Sequence, residues 1–343
     1  MRAVTYDHTG DSTVLKVVDR EKSDPGADEV RVRVVVSGVN PTDWKSRAGA
    51  GAGSGDFDEP KVPNQDGAGV VDAVGEGVTD FAVGDRVWLW DVAFGTNNGT
   101  AQEYVTLPAT HAAPLPDNAT FDDGASLGIP ALTAALALTA NENLPEHLTA
   151  GSLEGRVILV SGGAGAVSHA AIQLASWAGA TVITTVSSAE KAELARAAGA
   201  QHIIDYKTQD VAAEVKKLAP QGIDTIVEVN LQANVSLDEK IVARGGTIVS
   251  YASDGDGVVS LPIGPAMGRN VRLRFLLTYT VSDEEKLDAI RSVSEALAAG
   301  VLPVGDSAGL PLTRFALDDT AAAHDAVEQG AVGKVLIDVA ATA

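Results

Sequence analysis

Arg156-Val-Ile-Leu-Val-Ser-Gly-Gly-Ala-Gly-Ala-Val-Ser168 is the stretch whose reading decides the fold. A β-branched run at 157–160 stops at glycines, and an Ala-rich segment of helical period, 168–178, follows at once. Strand, glycine turn and helix in that order are the context of a dinucleotide-binding loop. The glycines allow a tight turn. They let the backbone at Gly163, Ala164, Gly165, Ala166 and Val167 approach a pyrophosphate at the helix N-terminus, where the helix dipole favours an anion. Read as G-x-G-x-x-G, the loop has Gly163 and Gly165, but Ser168 stands in the third glycine's place. The loop alone leaves cofactor binding open, and its surroundings must decide.

Before it the chain reads as β-rich. Short β-branched runs at 3–6, 14–18, 30–36, 68–74 and 86–89 alternate with Gly, Pro and Asp turns, as in a compact barrel. Residues 48–55 hold only Ala, Gly and Ser and read as a surface loop or a lid. After Asp122 a helix is expected over 131–140. Strands then follow at 156–160, 181–185, 202–205, 225–229 and 247–250, with helices at 168–178, 189–198, 211–219 and 236–244. Such alternation implies α/β architecture, a doubly wound parallel sheet with helices on both faces. A long strand over 271–281, a helix over 284–299, and strands at 315–317 and 334–339 close the chain. The expected organisation is a β-rich domain over 1–125 and 270–343, interrupted by a dinucleotide-binding domain over 126–269.

Composition removes several function classes. A net charge of −21 argues against general nucleic-acid binding, because phosphate contacts need clustered Lys and Arg. No apolar run approaches the roughly 20 residues that span a bilayer, and Met-Arg-Ala-Val-Thr-Tyr-Asp-His lacks a signal-peptide core, so a cytoplasmic protein is expected. With no cysteine there are no disulfides, thiolate nucleophiles or Cys-based zinc sites, and none of the six histidines shows a metal-binding spacing.

Cofactor choice is read about 20 positions past the loop, where an acid binds the ribose 2′-hydroxyl of NAD. Here the sequence is Thr184-Thr-Val-Ser-Ser-Ala-Glu-Lys191. Ser187, Ser188 and Lys191 suit a 2′-phosphate, which favours NADPH. The plainer reading makes Ser187 a helix cap and Lys191 a solvated residue. Glu190 is assigned to the solvent side of the following helix.

The resemblance of the chain rests on motifs in order: Gly38-Val-Asn-Pro41 with Asp43, Pro63-Asn-Gln-Asp-Gly-Ala-Gly69, Val83-Gly-Asp-Arg-Val87, Gly128-Ile-Pro-Ala-Leu-Thr-Ala134, the glycine loop, Glu228-Val-Asn-Leu-Gln-Ala-Asn234, Gly245-Gly-Thr-Ile-Val249 and Gly333-Lys-Val-Leu336. Over essentially its whole length it resembles the medium-chain dehydrogenases/reductases, and among them the zinc-free quinone oxidoreductases of the zeta-crystallin type. The resemblance implies a Rossmann-type sheet, a GroES-like β-barrel catalytic domain built from both chain ends, and homodimers or dimers of dimers joined at a sheet edge, for which 271–281 is the candidate.

It also implies roles. In zinc-dependent members a Cys, a His beside a Glu and a further Cys or acid hold the metal. Here those positions read Val39-Asn40 and Gln65-Asp66, so no metal is expected. Asn40 and Asp43 on their turn, Gln65 and Thr133 are the implied catalytic residues; turn chemistry is the alternative for the first two. Thr184, Tyr206, Asn234, Ser250, Tyr251, Leu276, Leu277 and Thr278 are implied cofactor contacts, a surface tyrosine being the alternative for Tyr206. Relatives often carry a tyrosine in the loop that here reads 48–55, with Phe57 the nearest aromatic. The expected activity is hydride transfer from NADPH to a quinone. Reduction of α,β-unsaturated ketones or aldehydes is the enzymatic rival. A non-catalytic, crystallin-like NADPH-binding protein is the alternative of another class.

Overall fold

The computed structural model describes residues 1–50, 55–253 and 257–340. Its internal contacts divide the chain into Met1–Ile129 with Pro311–Ala343, and Pro130–Leu310.

The first unit is organised by one strand, Glu29–Val39. Its valines are buried on both faces, which suits β-branched residues on a pleated, covered surface. One edge pairs antiparallel with Asp66–Val74. The other edge is shared: Tyr104–Pro108 takes Glu29 to Arg33, and Lys334–Asp338 takes Val36 to Val39. Arg86–Leu89 and Ala112–Pro114 extend the sheet on one side, and Leu312–Ala316 on the other. A three-stranded sheet of Lys16–Asp19, Arg2–His8 and Asp56–Lys61 completes the unit. Val30, Val32, Val34, Val71, Val87, Leu89 and Val105 form its core.

The second unit is a parallel six-stranded sheet in the order His202–Asp205, Thr181–Val186, Val157–Val160, Ile223–Glu228, Val242–Ser250, Arg272–Phe275. Strands buried on both faces read as continuous apolar runs, and these do. Leu159, Ile183, Ile226 and Ile248 pack with Val215, Leu231, Val235 and Ile241. The strand order reverses between Val157–Val160 and Ile223–Glu228, and ligands of such sheets bind at the carboxyl ends beside that switch point.

Four expectations are corrected. The strand over 271–281 is only Arg272–Phe275, because its neighbour ends at Ser250; Leu276 N–H still reaches Ser250 O, and a 3-10 turn follows at Thr278–Thr280. That strand and the helix Asp283–Ala298 belong to the second unit, so the boundary expected at 270 lies at 311. The helix expected over 236–244 is Leu231–Ile241, started by Asn230, whose side chain accepts the Ala233 N–H. The strand over 14–18 splits into the 3-10 turn Ser12–Val14 and the strand Lys16–Asp19. Residues 51–54, the middle of the Ala/Gly/Ser stretch, lie outside the described residues. Among the described residues no helix is long and apolar enough to cross a membrane.

Candidate functional site

In the second unit the glycine turn closes on the end of the strand Thr181–Val186. A Cβ at Gly163 would stand 2.3 Å from Thr184 Oγ1, and Gly162 has φ +69°, so both positions demand glycine. Gly163 N–H donates to Thr185 O and Gly165 N–H to Gly162 O. The N–H groups of Ala164, Ala166, Val167 and Ser168 meet no acceptor among the described residues, and Gly165 gives the helix Ala166–Trp177 no side-chain cap. Unspent donors at the N-terminus of a 12-residue helix make an anion cradle. Ser168 is turned inward: its Oγ donates to Ser161 O at 2.9 Å and lies 3.4 Å from the Tyr251 hydroxyl. Burial pushes that phenol's pKa up.

The other expected cofactor residues gather at the carboxyl ends of the same sheet. Thr184 is buried, with Oγ1 donating to Val160 O. Ser187 and Ser188 follow the strand Thr181–Val186, and Ser188 Oγ caps the helix Ala189–Ala197 by accepting the Lys191 N–H. The capping role read for Ser187 thus belongs to Ser188. Tyr206, half exposed, donates its N–H to Val186 O. Ser250 Oγ donates to Ala252 O, Leu276 is buried and Leu277 exposed. Thr278 and Thr133 share a hydroxyl–hydroxyl hydrogen bond. Asn234 Nδ2 donates to Glu228 Oε1 (3.0 Å) and Ser161 Oγ (3.4 Å). Behind it lies Asp238, buried like Glu228; burial and the Glu228 charge push its carboxyl up to about 8.

In the first unit Asn40, Asp43 and Gln65 come together with two residues to which no catalytic role was assigned, Asp66 and Lys334. Asn40 and Asp43 cap the helix Pro41–Arg47 reciprocally, which is the turn chemistry their spacing suggests. Asp43 accepts the N–H groups of Asn40 (2.7 Å) and Gln65 (3.2 Å); burial and neighbouring Asp66 push its pKa up to about 8. Asp66 accepts Ile129 N–H (2.8 Å), Asn40 Nδ2 (2.6 Å) and the Lys334 ammonium (3.3 Å), which also donates to Asn40 Oδ1 at 2.7 Å. Burial raises the Asp66 carboxyl, while Lys334 and the hydrogen bonds oppose the rise. Two glycines make room: a Cβ at Gly128 would lie 2.1 Å from Asp66 Oδ1, and one at Gly38 would lie 2.1 Å from Ala125 O and 3.1 Å from Lys334 Cε. Gln65 Oε1 is taken by the Ala93 N–H.

Residues 26–117 match the family model "Alcohol dehydrogenase GroES-like domain", and 166–295 match "Zinc-binding dehydrogenase". The chain is 31% identical over 259 residues to the quinone oxidoreductase of Mus musculus, covering 74% of each. The chain belongs to the medium-chain dehydrogenase/reductase superfamily. Among solved structures, an NAD-dependent alcohol dehydrogenase superposes with a TM-score of 0.84 at 28% identity, over 99% of this chain and all (100%) of that one. A mycobacterial protein complexed with NADPH superposes with a TM-score of 0.79 at 28% identity, over 98% of this chain and 99% of that one. The first unit is thus a GroES-like β domain, the second a Rossmann-type sheet, and the protein an oxidoreductase of this superfamily.

The residues of this oxidoreductase do not fit the zinc of one matched model's name. The sequence has no cysteine, and the amide oxygens of Asn40 and Gln65 are already bonded to Lys334 and Ala93. Amides are poor zinc ligands in any case. Among the described residues no group of three or more His, Asp or Glu is placed to hold a metal. The residues do fit a nicotinamide dinucleotide, through the unspent N–H groups of the glycine turn.

Sequence reasoning assigned no part to Lys334 or Asp238. For Asp238 a signal existed: it continues the apolar stripe begun by Leu231 and Val235 of its helix, where a carboxylate must be explained. For Lys334 the sequence offers only its place at the start of a strand otherwise apolar to Ile337.

Proposed function

We propose that this protein is a cytoplasmic, zinc-independent oxidoreductase that passes hydride from NADPH to a quinone. The observation that carries the cofactor choice is the end of the strand Thr181–Val186, which presents Ser187 and Ser188 with Lys191 one turn into the next helix, where an NAD site has a carboxylate. A relative named quinone oxidoreductase and a neighbour complexed with NADPH support the reading.

When bound, the reduced nicotinamide supplies the hydride. The chain's part is to orient and to exclude competitors. The turn from Gly163 to Val167 receives the pyrophosphate. Thr184, Ser187, Ser188, Lys191 and Tyr206 receive the adenosine ribose and its phosphate. Thr133, Asn234, Ser250, Tyr251, Leu276, Leu277 and Thr278 line the nicotinamide half. Asn40, Asp43 and Gln65 hold the substrate-side turn, with their side chains spent on each other and on the backbone. An electron-poor acceptor suits a site whose donor groups supply no Lewis acid. A homodimer would form along Arg272–Phe275, the edge strand of the parallel sheet, where Phe275 is 69% exposed.

Fluorescence titration should show NADPH binding tighter than NADH, with Lys191→Glu weakening NADPH roughly tenfold and sparing NADH. Preference for NADH would reject the assigned phosphate contacts. Steady-state rates with quinone and enone panels test the substrate; purified protein that turns over enones and no quinone would reject the quinone reading.

A further inference from the structure

Asp238 has no part in the site as assigned above, yet its placement is costly. It faces Glu228, which ends the strand at the topological switch point, and both residues are 1% exposed. The two carboxyls are close enough to feel each other directly, and the buried Asp238 Oδ2 meets no donor among the described residues. Neither forms an ion pair among the described residues. The groups facing them are Ser161 from the turn, Asn230 and Asn234 from the helix entry, and the phenol of Tyr251, which feels the Glu228 charge. The next acid, Glu239, has Arg269 at 3.7 Å. Two neighbouring carboxylates without a cation cannot both stay ionised in a buried site, and a proton on one of them lets it donate to the other.

Glu228 is also a hub. Its Oε1 accepts the Asn230 N–H at 2.5 Å and Asn234 Nδ2 at 3.0 Å, and Asn234 reaches Ser161 Oγ, at the start of the glycine turn. Whatever fixes the Glu228 carboxyl fixes the entry of that turn.

We propose that Asp238 is a positioning residue of the nucleotide site: it shares one proton with Glu228, and that proton holds Glu228 on the Asn230–Asn234–Ser161 side and keeps a second negative charge away from the pyrophosphate cradle. When the O–H bond breaks, the proton passes to solvent and two carboxylates remain beside a site that must take an anion. Cofactor binding therefore favours the protonated pair, and affinity falls as the pair ionises. The inference rests on the reading of the glycine turn as an NADPH site.

The test is NADPH affinity of the full chain between pH 7 and 9.5, where the cofactor's 2′-phosphate no longer titrates, in wild type, Asp238→Asn and Glu228→Gln. Each pK unit by which cofactor raises the pair is a factor of about ten in affinity, so wild type should weaken roughly tenfold across the window. Asp238→Asn keeps the shape, donates permanently to Glu228 and cannot titrate, so its profile should be flat; Glu228→Gln should flatten it equally if the first variant folds poorly. A wild-type profile already flat, or one unchanged in the variants, overturns the proposal. Thermal unfolding of the cofactor-free protein separates the two readings. If NADPH does not bind at pH 7 the cofactor assignment fails, while loss of wild-type stability between pH 5 and 8 that is clearly smaller in Asp238→Asn, where only the Asp43 share remains, still supports the shared proton. Equal slopes in both proteins reject it.

Discussion

In the first unit Asp66 is wholly buried and has the Lys334 ammonium at 3.3 Å; in the second, Glu228 and Asp238 are as deeply buried and have no cation among the described residues. Both arrangements answer the cost of placing a carboxylate away from water, one with a cation and one with a proton. The choice has consequences. In the first cluster the Lys334 ammonium offsets part of the burial cost of Asp66. A shared proton can leave, so the second responds to alkali.

The strongest attempt to break this comparison is Lys334→Met. It strands Asp66 and Asp43 without a cation and should cost about 3–5 kcal/mol in urea unfolding. Adding Asp66→Asn should recover most of the loss. A single variant as stable as wild type would show that Lys334 is not the counter-charge.

The next test applies the same isostere in both units at pH 8. A carboxyl raised on folding stabilises fully below its unfolded pKa and loses that contribution as pH climbs through the folded value, here from about pH 4 toward about 8 for Asp43 and Asp238. Asp238→Asn removes the loss and donates to Glu228, so it should gain up to about 2 kcal/mol at pH 8. Asp43→Asn should lose about 1–3 kcal/mol, because Asp43 accepts two backbone N–H groups and the amide turns a donor toward one of them. Chemical denaturation against pH reads both. Equal signs would mean that the two sites are not distinguished by their partners.

The smallest effect expected is that of Ser168→Gly, which completes the glycine fingerprint and deletes the bond to Ser161 O. It should cost about 1 kcal/mol and leave NADPH affinity within about twofold. A large fall in affinity would mean that the Ser168 hydroxyl, and not only Glu228, governs the turn.

Much of the architecture was readable because its causes are local. The strands Arg86–Leu89 and His202–Asp205 fall on the spans expected, since β-branched runs and flanking turn residues fix both ends. The stretch 271–281 misled because it stays largely apolar beyond Phe275, and the strand stops where its neighbour stops, which is a property of Val242–Ser250. At the candidate site the glycine turn was legible from order alone. Asn40 and Gln65 were legible as residues of interest, yet what bonds them was not. Lys334 lies 294 positions from Asn40, and no spacing rule spans that distance. Asp238 shows the reverse: the signal was local, an acid in an apolar stripe, but its partner Glu228 sits on a different element.

The strand Glu29–Val39 takes one of its partners from Lys334–Asp338, almost the far end of the chain. During synthesis the second unit, complete by Leu310, can fold while the first still lacks that partner and the ammonium that pairs with Asp66. At ribosomal speeds of roughly 5–20 residues per second the wait lasts on the order of tens of seconds, with a valine-rich edge uncovered. The domain begun first is finished last, and a ribosome stalled before Lys334 would leave it open to misassociation.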